Sequence, residues 1–186
     1  LDIGLGGSDT MEDGTIVDGF ESLTLTTGSG NDTAIFYPVA AAQYFYAGTG
    51  TDRAIVDYSG FSAAINFTYQ GSTGSGVRFF VYASHPTLGS SNDLNTYGVE
   101  EFDITGGSGN DSFDGSSAAW VSFRGGAGDD YFGMGASVFG VVDGGSGNDY
   151  LSLNRSGSAA DEVLIIDGLA GGAFTLSDGG QVSGIE

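Results

Sequence analysis

Apolar and polar residues alternate along short stretches of this chain. Leu23 and Leu25 alternate with threonines, and Phe102 and Ile104 alternate with Asp103 and Thr105. A period of two puts successive side chains on opposite faces of an extended strand, so these stretches predict short strands with one buried face. Phe113, Phe132 and Leu151 each follow by two residues an aspartate that closes a glycine-rich run. That spacing predicts an apolar ladder, with Val121, Phe123, Val138 and Val141 facing it from an opposing strand. The stretches 61–84 and 158–182 lack such runs. Ala64–Tyr69 with Arg78–Tyr82, and Val163–Ile166 with Ala173–Leu176, read as hairpins around glycine-rich centres or as plain coils.

The glycine-rich runs repeat. Thr27-Gly28-Ser29-Gly30-Asn31-Asp32 returns as Ala47-Gly48-Thr49-Gly50-Thr51-Asp52. A second set reads Gly106-Gly107-Ser108-Gly109-Asn110-Asp111, Gly125-Gly126-Ala127-Gly128-Asp129-Asp130 and Gly144-Gly145-Ser146-Gly147-Asn148-Asp149. The aspartates step by 20 residues in the first set and 19 in the second. A coil of two short strands and two six-residue turns needs about 18 residues, so each step predicts a return to the same edge, with the acidic turns stacked in a column. Leu88–Asp93 reads as a worn copy, 18 residues before Asp111. A longer repeat overlays these: Phe20–Leu25 resembles Val99–Ile104, and Ile185-Glu186 repeats its opening. The whole, 1–186, reads as one continuous segment, with long modules over 20–98 and 99–184 and a third beginning at 185. Its abrupt ends read as cuts from a longer chain.

Composition sharpens this picture. Glycine contributes 35 residues, about three times its average share. Four arginines and no lysine face 24 carboxylates, for a formal charge of −20. Nucleic acid binding needs a basic surface, so that partner is excluded, as is docking on an anionic membrane. Acidity alone also suits a disordered chain, but 40% hydrophobic and 12% aromatic residues argue for a folded core. No apolar run is long enough to insert into a membrane. Cysteine is absent and His85 is the only histidine, which leaves zinc and copper without their preferred ligands.

Stacked glycine–aspartate turns suit calcium. That ion takes six to eight hard oxygens in flexible geometry. Glycines at 28, 30, 48, 50, 106, 107, 109, 125, 126, 128, 144, 145 and 147 (Gly28, Gly30, Gly48, Gly50, Gly106, Gly107, Gly109, Gly125, Gly126, Gly128, Gly144, Gly145 and Gly147) let carbonyls turn toward a shared point. Ser108, Ala127 and Ser146 add their backbone oxygens, and Asp32, Asp52, Asp93, Asp111, Asp130 and Asp149 add carboxylates. One turn supplies part of a shell and two stacked turns complete it. The reading places about three to four calcium ions: between the turns of Asp32 and Asp52, Asp111 and Asp130, Asp130 and Asp149, and as a fourth Asp93 and Asp111. Magnesium holds its water too tightly and demands tighter geometry.

These runs resemble the RTX family, the haemolysin-type calcium-binding repeats Gly-Gly-x-Gly-x-Asp-x-apolar-x. The resemblance is close at 106–114, 125–133 and 144–152, and looser at 27–35 and 47–55, where Thr27 and Ala47 replace the first glycine. It implies an all-β fold: a right-handed parallel β-roll or β-solenoid with calcium between stacked turns, flanked by hairpins or metal-free coils. It further implies type I secretion of an unfolded chain that folds in external calcium, secreted or at the bacterial surface. The expected role is a structural module of a large adhesin, toxin or surface-layer protein, in contact with neighbouring repeats of its parent chain. The alternatives are a calcium-dependent module binding carbohydrate or a surface, and an accessory domain of a secreted hydrolase or alginate epimerase. No enzyme is expected within the chain itself: His85 reads as a loop residue and Trp120 as a strand residue filling the coil. The aromatic group Phe36, Tyr37, Tyr44, Phe45 and Tyr46 reads as core or cap.

Overall fold

A computed structural model describes residues 2–3, 9–10, 16–17, 22–37, 43–68, 77–78, 94–115, 120–135, 140–156, 172–176 and 179–185. Every regular element among them is a strand, and among the described residues no helix is long and apolar enough to cross a membrane. In chain order the strands are β1 (Asp2–Ile3), β2 (Asp9–Thr10), β3 (Ile16–Val17), β4 (Leu23–Thr26), β5 (Thr33–Phe36), β6 (Gln43–Tyr46), β7 (Arg53–Asp57), β8 (Asn66–Thr68) and β9 (Val77–Arg78). They continue as β10 (Leu94–Tyr97), β11 (Glu101–Thr105), β12 (Ser112–Asp114), β13 (Trp120–Ala127), β14 (Tyr131–Met134), β15 (Val141–Ser146), β16 (Tyr150–Leu153), β17 (Phe174–Thr175) and β18 (Gln181–Ser183).

Three larger sheets form. The central one has eight strands in the order β1-β5-β7-β11-β13-β15-β18-β17, and two four-stranded sheets run β4-β6-β10-β9 and β16-β14-β12-β8. Pairing is parallel except at β9–β10, β17–β18 and the separate pair β2–β3. Parallel neighbours need a crossover between them, and here each crossover passes through a strand of another sheet. Strands β4, β6 and β10 feed the N-terminal ends of β5, β7 and β11. The C-terminal ends of β7, β11, β13 and β15 lead into β8, β12, β14 and β16.

The central sheet therefore has acidic turns at both ends of its strands. The turns 27–32 and 47–52 lie at one end, with a short connection, 98–100, in series with them. At the opposite end stand the acidic turns 106–111, 125–130 and 144–149, in series with 58–65, which carries no carboxylate. The single column expected from the repeat spacing is thus two columns. A motif flanked by strands on both sides carries no mark of which strand joins the central sheet.

The apolar ladder forms as its spacing predicts. Phe113 pairs with Phe132 and Phe132 with Leu151, and Phe67 of β8 extends the row. The Phe113 and Phe132 rings stack at 5.3 Å. Phe123, on the opposing sheet, lies 5.0 Å from Phe113 and 5.1 Å from Phe67. Facing the other small sheet, Phe36 meets Phe45 at 5.7 Å. Phe36, Val56, Ile104 and Phe123 are in register across the central sheet, so both small sheets cover its same face. Burying such aromatic rings contributes about 1.5–3 kcal/mol each.

Particular placements differ from the sequence reading. Val142, not Val141, is the interior residue of β15, because the 19-residue step pairs Phe123 with Val142 and the pleat turns Val141 outward. Trp120 sits on the outer face of the central sheet, beneath the Arg53 guanidinium at 5.1 Å, because the inward positions of β13 are Val121 and Phe123. Residues 66–68 do not pair with 77–78: β8 is parallel to β12 and β9 antiparallel to β10. β17 pairs antiparallel with β18, while Val163–Ile166, the other half of the second expected hairpin, lies outside the described residues. Of the aromatic group, Phe36 and Phe45 are core, while Tyr46 is partly exposed and stacks on Tyr97 at 4.5 Å. Val138, His85, Asp93 and Val163–Ile166 lie outside the described residues.

Candidate metal centre

The turns are tied to one another by one recurring device. Asp111 donates its backbone N–H to Oδ1 of Asp130 (2.7 Å), and Asp130 donates its own to Oδ1 of Asp149 (2.8 Å). Below them the Ile65 N–H donates to Asp111 Oδ1 at 2.8 Å. In the other column the Asp32 N–H donates to Asp52 Oδ1 (2.8 Å), and the Asp52 N–H to Glu100 Oε2 (2.9 Å). Each motif carboxylate except that of Asp32 is therefore fixed through one oxygen to the preceding coil, and Glu100 plays the same part with a longer side chain.

The second oxygens point elsewhere. Asp111 Oδ2 accepts the Gly107 N–H at 3.2 Å. Oδ2 of Asp52 and of Asp130 are buried without a hydrogen-bond partner. Asp52, Asp111, Asp130 and Asp149 are 0–2% exposed. A buried carboxylate oxygen without a partner costs several kcal/mol when ionised, on the order of the desolvation penalty for a lone charge, unless it is protonated or meets a cation.

The first glycine of each second-column turn faces these oxygens. A Cβ placed on Gly125 would collide with Asp130 Oδ2 and the Gly144 carbonyl oxygen. One on Gly106 would meet Asp111 Oδ2 and the Gly125 carbonyl, and one on Gly144 would meet Asp149 Oδ2 and the Gly184 carbonyl. Three successive gaps thus share one cradle: an aspartate oxygen from one turn and a carbonyl from the next, both brought close to a glycine that has no Cβ to hold them off. Gly126, Gly128, Gly145 and Gly147 hold positive φ and face the carbonyls of Gly107, Gly109, Gly126 and Gly128. Only glycine takes that φ and lets the backbones approach so closely.

Burial dominates the electrostatics. It pushes the Asp130 carboxyl up to about 7 against the pull of the Asp111 N–H, and the neighbouring Asp111, Asp149 and Asp129 charges add to the rise. Burial likewise raises Asp111 to about 6, opposed by the N–H groups of Ile65 and Gly107. Both groups are held in a site that lacks positive charge.

The structure brings Asp111, Asp130 and Asp149 into one column, and Asp32 and Asp52 into another. The turn beside 106–111 on the side expected for the Asp93 copy is 58–65, where the Ser108 N–H donates to the Phe61 carbonyl at 2.7 Å. The glycine–aspartate motif marks neither Glu100 nor Gly184, because neither stands in a Gly-x-Asp run. The likeness of Ile185-Glu186 to Val99-Glu100 was the one signal pointing at both. Among the described residues no three acidic or histidine side chains converge on a point, so a cation here would draw most of its oxygens from carbonyls. No protein-family model, curated protein or solved structure matches this chain.

Proposed function

We propose that this chain is a calcium-binding structural module, a right-handed parallel β-roll that folds when calcium fills the gaps between its stacked turns. The observation that carries the reading is the buried Oδ2 of Asp130, without a protein partner and aimed into the glycine cradle beside the Gly144 carbonyl. The ions belong between 106–111 and 125–130, between 125–130 and 144–149, and between 144–149 and Gly184. When bound, calcium supplies the charge that keeps Asp111, Asp130 and Asp149 ionised. Carbonyls turned inward by the glycines supply neutral oxygens, which suits calcium's flexible shell better than magnesium's rigid octahedron. The handedness follows from the parallel crossovers, right-handed in about 98% of cases.

The physical role follows from charge and composition. A formal charge of −20 opposes compaction, and 35 glycines raise the entropy lost on folding. A site filled at 100 times its dissociation constant stabilises the fold by about 2.7 kcal/mol, so a few ions decide whether the chain folds. Extracellular modules bind calcium at about 10⁻⁴–10⁻³ M, which fits a chain exported unfolded and folded outside the cell, as a segment of a large secreted bacterial adhesin, toxin or surface-layer protein.

Far-ultraviolet circular dichroism of chelator-treated protein, titrated with calcium and separately with magnesium, tests this. The expected result is a cooperative gain of β signal with calcium alone. A spectrum already folded in chelator and unmoved by calcium would remove the functional reading.

A further inference from the structure

We infer that the gap between the turns 27–32 and 47–52 is closed by the Thr27 hydroxyl and holds no cation. This rests on the calcium reading above and removes from it the one gap between 27–32 and 47–52.

The two columns share one backbone. Thr27 donates its N–H to the Tyr46 carbonyl (2.9 Å), as Gly106 does to Arg124 (2.7 Å). Thr49 donates to the Gly28 carbonyl (3.1 Å), as Ala127 does to Gly107 (2.8 Å). The Gly30 and Gly128 N–H groups each donate at 2.9 Å to the third residue of the next turn, Thr49 and Ser146. Thr27 therefore stands where Gly106 and Gly125 stand, and its side chain enters the space those glycines leave open. Its Oγ1 donates a 2.7 Å hydrogen bond to the Ala47 carbonyl. Ala47 O is the counterpart of Gly125 O and Gly144 O, the carbonyls that face the cradles of the second column.

A hydroxyl proton thus supplies the positive partner that a cation would supply, and Cβ and its methyl fill the volume. The carboxylate also differs. Asp32 is only partly buried, whereas Asp111 and Asp130 are 2% exposed. Water can solvate Asp32, so its charge needs no ion.

The test counts bound calcium on the whole chain by native mass spectrometry and equilibrium dialysis, at saturating calcium. Asp32→Asn is expected to bind as many ions as the unaltered chain. Thr27→Gly is expected to gain one ion, and the double variant Thr27→Gly/Asp32→Asn to lose that gain. Thr27→Val keeps the bulk without the hydroxyl; it should hold the same count with a lower melting temperature, and Thr27→Ser should restore the temperature. Loss of an ion in Asp32→Asn or Thr27→Val, the latter marking the hydroxyl oxygen as a ligand, overturns the inference while leaving calcium binding intact. So does Thr27→Gly without a gained ion. Absence of bound calcium in the unaltered chain sinks the calcium reading and this inference together.

Discussion

The two turn columns at opposite ends of the central sheet share a hydrogen-bond ladder and differ at the residue that opens each turn. In the column of 106–111, 125–130 and 144–149 each turn opens with glycine; in that of 27–32 and 47–52 the openers are Thr27 and Ala47. The ladder depends on the glycines at the second and fourth positions, which both columns keep. On the proposed reading, access for an ion depends on the first. On that reading a turn can therefore stack as its neighbours do and still be closed to metal, which separates the architecture from the proposed calcium chemistry.

The sharpest way to break this comparison is Gly125→Ala. The added methyl meets the Asp130 carboxylate and the Gly144 backbone, neither of which can give way cheaply. The expected cost in calcium is about 3 kcal/mol or more, with loss of bound ion, measured by denaturant unfolding at saturating calcium. Ala47→Gly in the other column should cost less, about 1–2 kcal/mol, from backbone entropy and one buried methyl.

Substitutions at the fourth position should instead treat the columns alike. Gly50→Ala and Gly128→Ala both place a side chain at positive φ, +151° and +111°, against the preceding coil's carbonyl. Each should cost about 1–3 kcal/mol by the same assay, and a cost confined to one column would show that their backbones are not equivalent.

The pH response should centre on Asp111 and Asp130. Asp111 and Asp130 are raised from 3.8 to about 6 and about 7 without metal. A raised folded-state value means stability present below the unfolded value of about 4 and lost as pH rises through the folded ones. In chelator, β signal should therefore grow as pH falls from about 7 to about 4, and Asp130→Asn should flatten that window and hold more structure at pH 8 than the unaltered chain. An unchanged window in Asp130→Asn would assign the titration elsewhere.

The smallest effects should come from the outer ladder at the fifth position. Asn31 Oδ1 accepts the Thr51 N–H at 3.0 Å and Asn110 Oδ1 the Asp129 N–H at 3.1 Å, both exposed. Asn31→Ala and Asn110→Ala should each cost about 0.5 kcal/mol and leave the calcium count unchanged, read from thermal unfolding and dialysis.

Much of the candidate site was legible before any coordinates. The 19-residue steps of Asp111, Asp130 and Asp149 translate directly into turn-on-turn contact, because nothing is inserted between those coils. Legibility failed where segments intervene. Between β7 and β11 the register step is 48 residues, and between β15 and β18 it is 40. A step length names the next neighbour only for uninterrupted coils, so neither 58–65 beneath 106–111 nor Gly184 above 144–149 could be read from spacing. Glu100 stayed hidden for a related reason: it reaches the Asp52 N–H from a three-residue connection that carries none of the motif.

By itself the sequence determined what is local. Period-two alternation made the strands, the glycines set the turns, and the even spacing of Phe113, Phe132 and Leu151 built the interior ladder, since each depends only on residues within one coil or its next neighbour. Tertiary structure alone decided which strand of each coil joined the central sheet, and so the split into two columns. It also decided the inward choice of Val142 over Val141 and the placing of Thr27 against the Ala47 carbonyl. Those outcomes turn on which backbones lie side by side across gaps of 20 to 48 residues, and pairing over such distances is settled by packing of the whole core.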